Sequence, residues 1–183
     1  MADVLTKEQR HKCMSRVRSK NTKPEILLRK ALWKLGFRYL VNDHRLPGSP
    51  DIVLPKYKTV VFVHGCFWHG HIGCKKYTIP DTNPDFWSTK IARNQARDQD
   101  VWRQLEAKGW NVIVIWECEL SKNRILDSTN RIASQVKENG LINLHRLQER
   151  SSRRKSLKEE NKERQAKEAA ALKEIKAIGG NIY

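Results

Sequence analysis

The sequence stretch Thr59-Val60-Val61-Phe62-Val63-His64, written TVVFVH, decides the fold. Four of its six residues are β-branched, and no Lys, Arg, Asp or Glu interrupts it. An apolar run of this length is typical of a strand that is buried on both faces, as at the centre of a sheet. We therefore predict that residues 59–64 form the central strand of the protein.

The segments on either side alternate between strand patterns and helix patterns. A turn at residues 55–58 separates the central strand from an apolar run at 51–54, and residues 111–116 form another apolar, β-branched run. The other predicted elements are a short strand at 37–41, helices at 24–35, 86–108 and 125–136, and an irregular loop at 65–85. Strands interleaved with helices predict an α/β fold in which a mixed sheet is flanked by helices.

Charge and composition limit the kinds of partner. The 183 residues include 36 Lys and Arg against 20 Asp and Glu, a net charge of +16, which favours a polyanionic partner. No apolar run approaches the roughly 20 residues of a membrane-spanning helix, and the polar N-terminus has no secretion signal. We therefore expect a cytoplasmic protein without a membrane partner, whose four cysteines are metal ligands or small apolar residues, not disulfides.

The basic residues concentrate at the two ends of the chain. Residues 1–30 contain nine basic and three acidic side chains, and residues 150–176 contain ten and five. We predict a basic N-terminal arm at 1–22, one domain at 23–140, and a basic tail at 141–183. The composition of the tail favours a solvated helix or a partly disordered segment, with nucleic-acid contact as a second possibility.

An acidic side chain and a histidine stand at neighbouring strand ends. Asp51 opens one predicted strand, and Val63 and His64 end the next. A carboxylate at a strand edge can hold Mg²⁺, and the backbone carbonyl of Val63 can add an oxygen ligand, as in metal-dependent nucleases. Taken alone, an aspartate after a proline is more often only a turn residue.

The loop after the central strand is dense in metal-binding residue types. His71 and Cys74 lie three residues apart, Cys118 ends a later strand, and Asp98 on the intervening helix is a possible fourth ligand. These residues predict a Zn²⁺ ion that holds a loop too long to be stable alone. Cys66 and Cys13 are predicted to be unliganded. The alternative is a set of buried thiols beside surface histidines.

The same loop carries a candidate base and several aromatic side chains. His69 could point away from the predicted zinc, toward Asp51, and deprotonate a water that attacks phosphorus; alternatively it is an ordinary surface histidine. Phe67, Trp68, Phe86 and Trp87 lie where burial is hardest, and such side chains can wedge between DNA bases. By contrast, the tryptophans in predicted helices and strands are expected in the core: Trp33, Trp102, Trp110 and Trp116.

Several of these stretches resemble the very short patch repair (Vsr) DNA mismatch endonucleases. The resemblance covers about residues 1–135 and is strongest at 46–51, 62–69, 86–87 and 114–118. It implies a restriction-endonuclease-like fold, related to the PD-(D/E)xK core, in which Phe62-Val63-His64 replaces the usual acid-x-lysine. On this resemblance, 1–22 is a DNA-contacting arm and 23–140 the endonuclease domain.

The resemblance also implies roles for individual residues. Asp51 would be the Mg²⁺ ligand and His69 the general base, while Glu25 and His64 would order metal-bound water or the phosphate. A structural zinc would be held by His71, Cys74, Asp98 and Cys118. Intercalation beside the mismatch is implied for Phe67, Trp68 and Trp87 from the major groove, and for Met14 and Val17 from the minor groove.

The activity implied by the resemblance is a single-strand nick in double-stranded DNA. Family members cut 5′ of the thymine in T:G pairs that arise by deamination of 5-methylcytosine, and this cut initiates very short patch repair. A cytosine methyltransferase and general mismatch-repair proteins are the implied functional partners, and nicking at an asymmetric lesion suits a monomer. Two alternatives stay open: a zinc-containing nucleic-acid-binding module without catalysis, and a restriction-type nuclease without mismatch preference.

Overall fold

The fold is described by a computed structural model. It describes residues 20–179, with the helix backbone alone from residue 170 onward, and residues 8, 9, 12 and 15 of the N-terminal segment. Met14 and Val17, predicted to enter the minor groove, lie outside the described residues, as does Cys13.

A three-stranded mixed sheet forms the centre. Strand β1 (Ile52–Leu54) pairs antiparallel with β2 (Thr59–His64), and β2 pairs in parallel with β3 (Asn111–Trp116), so β2 is the middle strand. Lys58, which turns the chain between β1 and β2, has φ +48°. The central position predicted for residues 59–64 is confirmed.

Within residues 20–179 the α-helices are α1 (Lys23–Lys34), α2 (Pro84–Ala107) and α3 (Ile125–Gly179). Short 3-10 helices follow β1 at Pro55–Tyr57 and β3 at Glu117–Leu120. Helix α1 begins as its sequence predicts, because the Glu25 carboxylate accepts hydrogen bonds from the backbone N–H and the hydroxyl of Thr22. It ends before Gly36, whose φ of +86° continues no helix.

The sheet is covered on both faces, as an apolar central strand requires. Val61 packs on one face with Leu28 and Leu32 of α1 and Ile132 of α3. Val60 and Phe62 pack on the opposite face with Leu105 of α2. The prediction of an α/β fold with a mixed sheet flanked by helices is confirmed.

Three predictions about the elements are wrong. Residues 37–41 form no ladder; only Leu40 makes a bridge, to Val53, because Phe37 turns into the core and Asn42 adopts φ +48°. The last helix does not stop near residue 136, since nothing after it breaks the helical backbone before Gly179. Trp33 is 51% exposed, with the Arg38 guanidinium 3.9 Å above its ring.

The chain forms two compact units, Met1–Gly140 and Leu141–Tyr183. The functional division into arm, endonuclease domain and tail stays a prediction. Among the described residues, no helix combines the length and the apolar character that crossing a bilayer requires.

Candidate active site and metal-binding cluster

The candidate site lies in an open groove of about 1100 Å³ at the end of β2. Its lining includes Asp51, His64 and His69 from strand and loop positions, together with Asp98 of α2. Lys20, Lys23, Lys90 and Arg97 also line this groove. Four basic side chains therefore lie among the acidic and histidine residues of the groove, where they can contact an anionic ligand.

Asp51 lies just before β1 and is fixed to the neighbouring strand. Its Oδ2 accepts a 2.7 Å hydrogen bond from the backbone N–H of Val63. Burial raises the pKa of Asp51 to about 6, and the charge of Glu25 acts in the same direction; the Val63 hydrogen bond, Arg29 and His69 oppose them. A partly desolvated carboxylate next to another acid is a suitable environment for a divalent cation.

Arg29 of α1 connects the two acidic residues. Its Nη2 donates to Glu25 Oε2 at 2.9 Å and to the backbone carbonyl of Asp51 at 3.0 Å. Glu25 is 3% exposed and also accepts a hydrogen bond from the backbone N–H of Asn21. Glu25 thus reaches the groove by capping its own helix, while Arg29 ties that helix to the segment that carries Asp51.

His69 is held by a carboxylate, as a general base often is. Its Nδ1 lies 2.5 Å from Asp98 Oδ2, so Nδ1–H donates to Asp98 and Nε2 is the nitrogen left to accept a proton. Burial acts to raise the pKa of Asp98, but the hydrogen bonds and charges of His69, His64 and Arg97 keep it below its usual range. Asp98 is therefore ionised and able to orient the imidazole.

His64 stacks on His69 with ring centroids 3.7 Å apart and an interplanar angle of 17°. Its Nε2 lies 4.0 Å from Asp98 Oδ2. Burial, and secondarily the charge of His69, lowers the pKa of His64 to about 4, although Asp98 opposes this. His64 is consequently neutral at physiological pH and holds the His69 ring from one side.

A second cluster of metal-ligand residue types is formed by three residues of the loop and one residue after β3. The Sγ atoms of Cys66 and Cys118 lie 3.4 and 3.5 Å from His71 Nδ1, and Cys74 is the fourth member. All four ligand atoms lie within 4.8 Å of one another. Zn–S bonds of about 2.3 Å in a tetrahedron place ligand atoms about 3.5–3.8 Å apart, so this donor set fits Zn²⁺.

The fourth member differs from the prediction. Asp98 groups with His64 and His69, whereas Cys66, predicted to be unliganded, joins His71, Cys74 and Cys118. The reason lies in α2, whose buried residues Ile91, Asp98 and Leu105 recur every seven positions and therefore share one face of the helix. This spacing was visible in the sequence and indicates a buried acid, but not which cluster it joins.

The predicted aromatic side chains lie together. Ring centroids of Phe67 and Trp68, and of Phe67 and Trp87, are 5.2 Å apart, and Phe86 contacts Trp87 at 5.1 Å. Phe86 is 60% exposed. An aromatic cluster beside a groove that contains basic side chains is able to contact stacked bases.

Two amides of α2 were not singled out from the sequence. Asn94 Nδ2 donates to the backbone carbonyl of Trp68 at 2.8 Å, and Gln95 Nε2 donates to that of His69 at 3.2 Å. They hold the loop that carries both the histidine and the aromatic residues. Amide side chains on a polar helix have no sequence pattern that distinguishes such a role.

The fold and groove define a class: an α/β protein with a carboxylate–histidine site of the kind that activates water beside an anionic ligand. The profile described as DNA mismatch endonuclease Vsr matches residues 2–76. The Type II nicking enzyme V.NmeAIP of Neisseria meningitidis serogroup A is 50% identical over 139 residues, which cover 75% of this chain and 99% of that protein. Escherichia coli DNA mismatch endonuclease Vsr is 41% identical over 120 residues, 66% of this chain and 76% of that protein.

The chain therefore belongs to the Vsr family and is a DNA endonuclease.

Proposed function

We propose that this endonuclease nicks one strand of duplex DNA 5′ of the thymine in T:G pairs that arise by deamination of 5-methylcytosine. The observation that carries the proposal is the His69–Asp98 hydrogen bond of 2.5 Å in the groove that also contains Asp51. The relatives named as a mismatch endonuclease and as nicking enzymes support the mismatch specificity and the single cut. The cut would initiate very short patch repair.

In the proposed reaction, His69 Nε2 takes a proton from a water that attacks the phosphorus, while Asp98 orients the ring and stabilises the resulting imidazolium. The new P–O bond forms as the bond to the leaving sugar oxygen breaks, and that oxygen takes a proton from solvent water. His64 holds the His69 ring, and Glu25 and His64 order water and phosphate at the groove.

Asp51 and the backbone carbonyl of Val63 are the residues that would hold the catalytic Mg²⁺. Both are hard oxygen donors, and the raised pKa of Asp51 reflects a site in which a cation is favourable. When bound, Mg²⁺ would supply positive charge against the negative charge that develops on the phosphate. Zn²⁺ would be structural and held by Cys66, His71, Cys74 and Cys118, with Cys66 in place of Asp98.

The sheet would correspond to the restriction-endonuclease-like core, with Asp51 before β1 and His64 at the end of β2. Phe67, Trp68 and Trp87 would intercalate beside the mismatch from the major groove. We further propose that the enzyme acts as a monomer at the nucleoid of the bacterial cytoplasm. A cytosine methyltransferase would generate the modified base, and general mismatch-repair proteins would share the lesion.

The test compares end-labelled duplexes that differ only in one T:G or T:A pair, with Mg²⁺ and several flanking sequences. We expect a single nick 5′ of the thymine in the T:G duplex, none in the T:A duplex, and none with Asp51→Ala despite retained binding. Equal cutting of both duplexes would replace the proposal with the restriction-type alternative. Binding by the wild type without any cutting would overturn the catalytic assignment.

A further inference from the structure

The helix of residues 141–179 carries charge that the groove does not use. Residues 141–183 include eleven basic and six acidic side chains, a net charge of +5. The Neisseria nicking enzyme aligns over 139 residues, which are 75% of this chain and 99% of that protein, so about a quarter of this chain has no counterpart there.

Basic and acidic side chains separate around the helix over residues 146–163. At about 100° per residue, Arg146, Arg150, Arg153 and Arg154 fall within a sector about 100° wide. We call these four residues the arginine face. The nearby acids fall in a different sector, also about 100° wide: Glu149, Glu159, Glu160 and Glu163.

The arginine face is open to a ligand. Every side chain from residue 144 to residue 169 is exposed. The local ion pairs recorded along it involve other residues: Glu149 pairs with His145 at 3.4 Å, and Arg164 with Glu168 at 3.8 Å. Four guanidinium groups on one exposed surface repel one another, and a polyanion would relieve that repulsion.

The length of the arginine face fits a nucleic-acid backbone. Residues 146 and 154 are separated by about 12 Å along the helix axis. One DNA strand carries a phosphate about every 3.4 Å of duplex axis, so the face spans about three or four phosphates. Guanidinium groups bind phosphate oxygens in pairs, which favours arginine over lysine at such contacts.

We propose that the arginine face of residues 146–154 binds the DNA phosphate backbone, without sequence preference, as a contact surface additional to the catalytic groove. The proposal rests on the proposed function for the substrate, duplex DNA. An otherwise solvated helix is marginal in water, so contact with phosphates would also stabilise the helical form of this segment. The segment would then increase the affinity for DNA around the lesion without changing which mismatch the enzyme recognises.

The test uses the full chain in two variants with the same loss of charge. One neutralises the arginine face: Arg146→Gln, Arg150→Gln, Arg153→Gln and Arg154→Gln. The matched control neutralises four basic residues of the same helix outside that face: Lys155→Gln, Lys158→Gln, Lys162→Gln and Lys167→Gln. Fluorescence anisotropy gives Kd for T:G and T:A duplexes of about 60 base pairs at several NaCl concentrations, since a phosphate contact adds about 0.9 to the salt slope.

We expect the arginine variant to bind both duplexes about tenfold more weakly or worse, with the same loss for each. The magnitude of the slope of log K against log salt concentration should decrease by about 3 to 4. The lysine control should lose less than about 1 in that slope and retain nicking. Equal losses in the two variants would overturn the arginine face as a defined surface. Unchanged DNA binding by the arginine variant would overturn the proposal. Binding to phosphatidylglycerol vesicles is measured for the same variants. If the arginine variant loses vesicle binding but keeps its DNA affinity, the proposal is overturned as well.

The two proposals fail in different ways. A wild-type protein that binds duplexes but never nicks T:G would overturn the proposed function, yet the affinity comparison between variants would still decide the role of the arginine face. Far-UV circular dichroism of each variant, without and with DNA, checks that the helix is retained. We expect helicity to increase with DNA in the wild type and in the lysine control.

Discussion

At the scale of single residues, opposing effects act on the charge of Asp51. Burial raises its pKa to about 6, whereas the Val63 N–H and the Arg29 guanidinium favour the ionised form without fully compensating. In the absence of a bound cation, ionising this carboxylate therefore reduces the free energy of unfolding. Asp51, the proposed Mg²⁺ ligand, therefore destabilises the fold when no metal is bound.

Replacing Asp51 by Asn should stabilise the protein near neutral pH when no Mg²⁺ is added. The folded-state pKa of about 6 lies above the ordinary 3.8, so the folded protein binds more protons between these values and its stability falls as pH rises. We expect a gain of about 1–3 kcal/mol near pH 7.5 that shrinks toward about pH 4. Thermal unfolding across this range measures it, and a variant less stable than wild type near pH 7.5 would contradict the prediction.

His69 and Asp98 should act as one catalytic unit. His69→Ala and Asp98→Asn should each lower single-turnover nicking of a T:G duplex by about 10²–10⁴-fold, since one removes the base and the other its orientation. The double variant should be little slower than the slower single variant. Multiplicative losses in this cycle would show that the two residues act separately, and unchanged turnover of His69→Ala would remove it from the mechanism.

Residue types and spacing predicted much of the site but not the partner of each residue. Asp51 and His69 were expected to face the same region, and both line the groove. Asp98 was expected to bind zinc because a carboxylate and a thiolate are both zinc ligands, so composition alone leaves the fourth ligand open. Only the packing of α2 against the loop brings Asp98 to His69 and leaves Cys66 with the other thiols.

At the scale of elements, the loop of residues 65–83 is positioned by α2 and not by its own regular structure. Asn94 and Gln95 bind its backbone carbonyls, and Gly70 passes close to the same helix. Gly70 has φ +67°, and a Cβ there would lie 2.9 Å from Ile91 Cγ2 and in conflict with Gln95. The geometry of His69 therefore depends on a close approach between loop and helix.

Gly70→Ala should be more harmful than Gly73→Ala in the same loop. Gly73 has φ +76° but nothing within 4 Å of a Cβ, so alanine there meets only the backbone cost of about 1 kcal/mol. Alanine at 70 should cost about 1–3 kcal/mol more and should slow nicking, because His69 must shift. Urea unfolding and single-turnover assays of both variants measure this. Equal effects would show that the helix does not constrain the loop.

The sequence was informative for elements in which local pattern and packing agree. The apolar runs of β1, β2 and β3 and the start of α1 were predicted within a few residues. Residues 37–41 have the composition of a strand, but Phe37 and Tyr39 pack in the core and only Leu40 bridges to a strand. Composition does not determine whether a segment finds a pairing partner. The end of α3 was missed because Asn139 and Gly140 are typical helix-terminating residues, yet Asn139 donates to the Thr59 hydroxyl within the continuing helix.

At the scale of the whole molecule, two clusters with different chemistry share one loop. The thiol cluster of Cys66, His71, Cys74 and Cys118 joins the loop to the end of β3, and a structural zinc there would contribute folding free energy. The carboxylate–histidine site would depend on this connection for its shape without using the zinc chemically.

Zinc content should separate the two clusters. Cys66→Ser should lose bound zinc and about 3 kcal/mol of stability or more, which is about 6–12 °C in Tm for a chain of this size. Asp98→Asn should keep zinc and stability near the wild type but lose nicking. Elemental analysis of the purified variants, together with thermal unfolding, provides the measurement. A zinc-free wild type would overturn the zinc site itself. Zinc loss in Asp98→Asn with zinc retained in Cys66→Ser would make Asp98 the fourth ligand in place of Cys66.

The separation of His69 and His71 by a single residue restricts how the loop can change in length. His69 bonds Asp98, and His71, which stacks on Trp116, joins the thiols, so the two clusters use positions two residues apart in the same loop. Inserting or deleting one residue between these histidines would move at least one of them away from its partners. The stretch between Cys74 and α2 contributes no member to either cluster, which makes it the place in this loop to insert a reporter peptide.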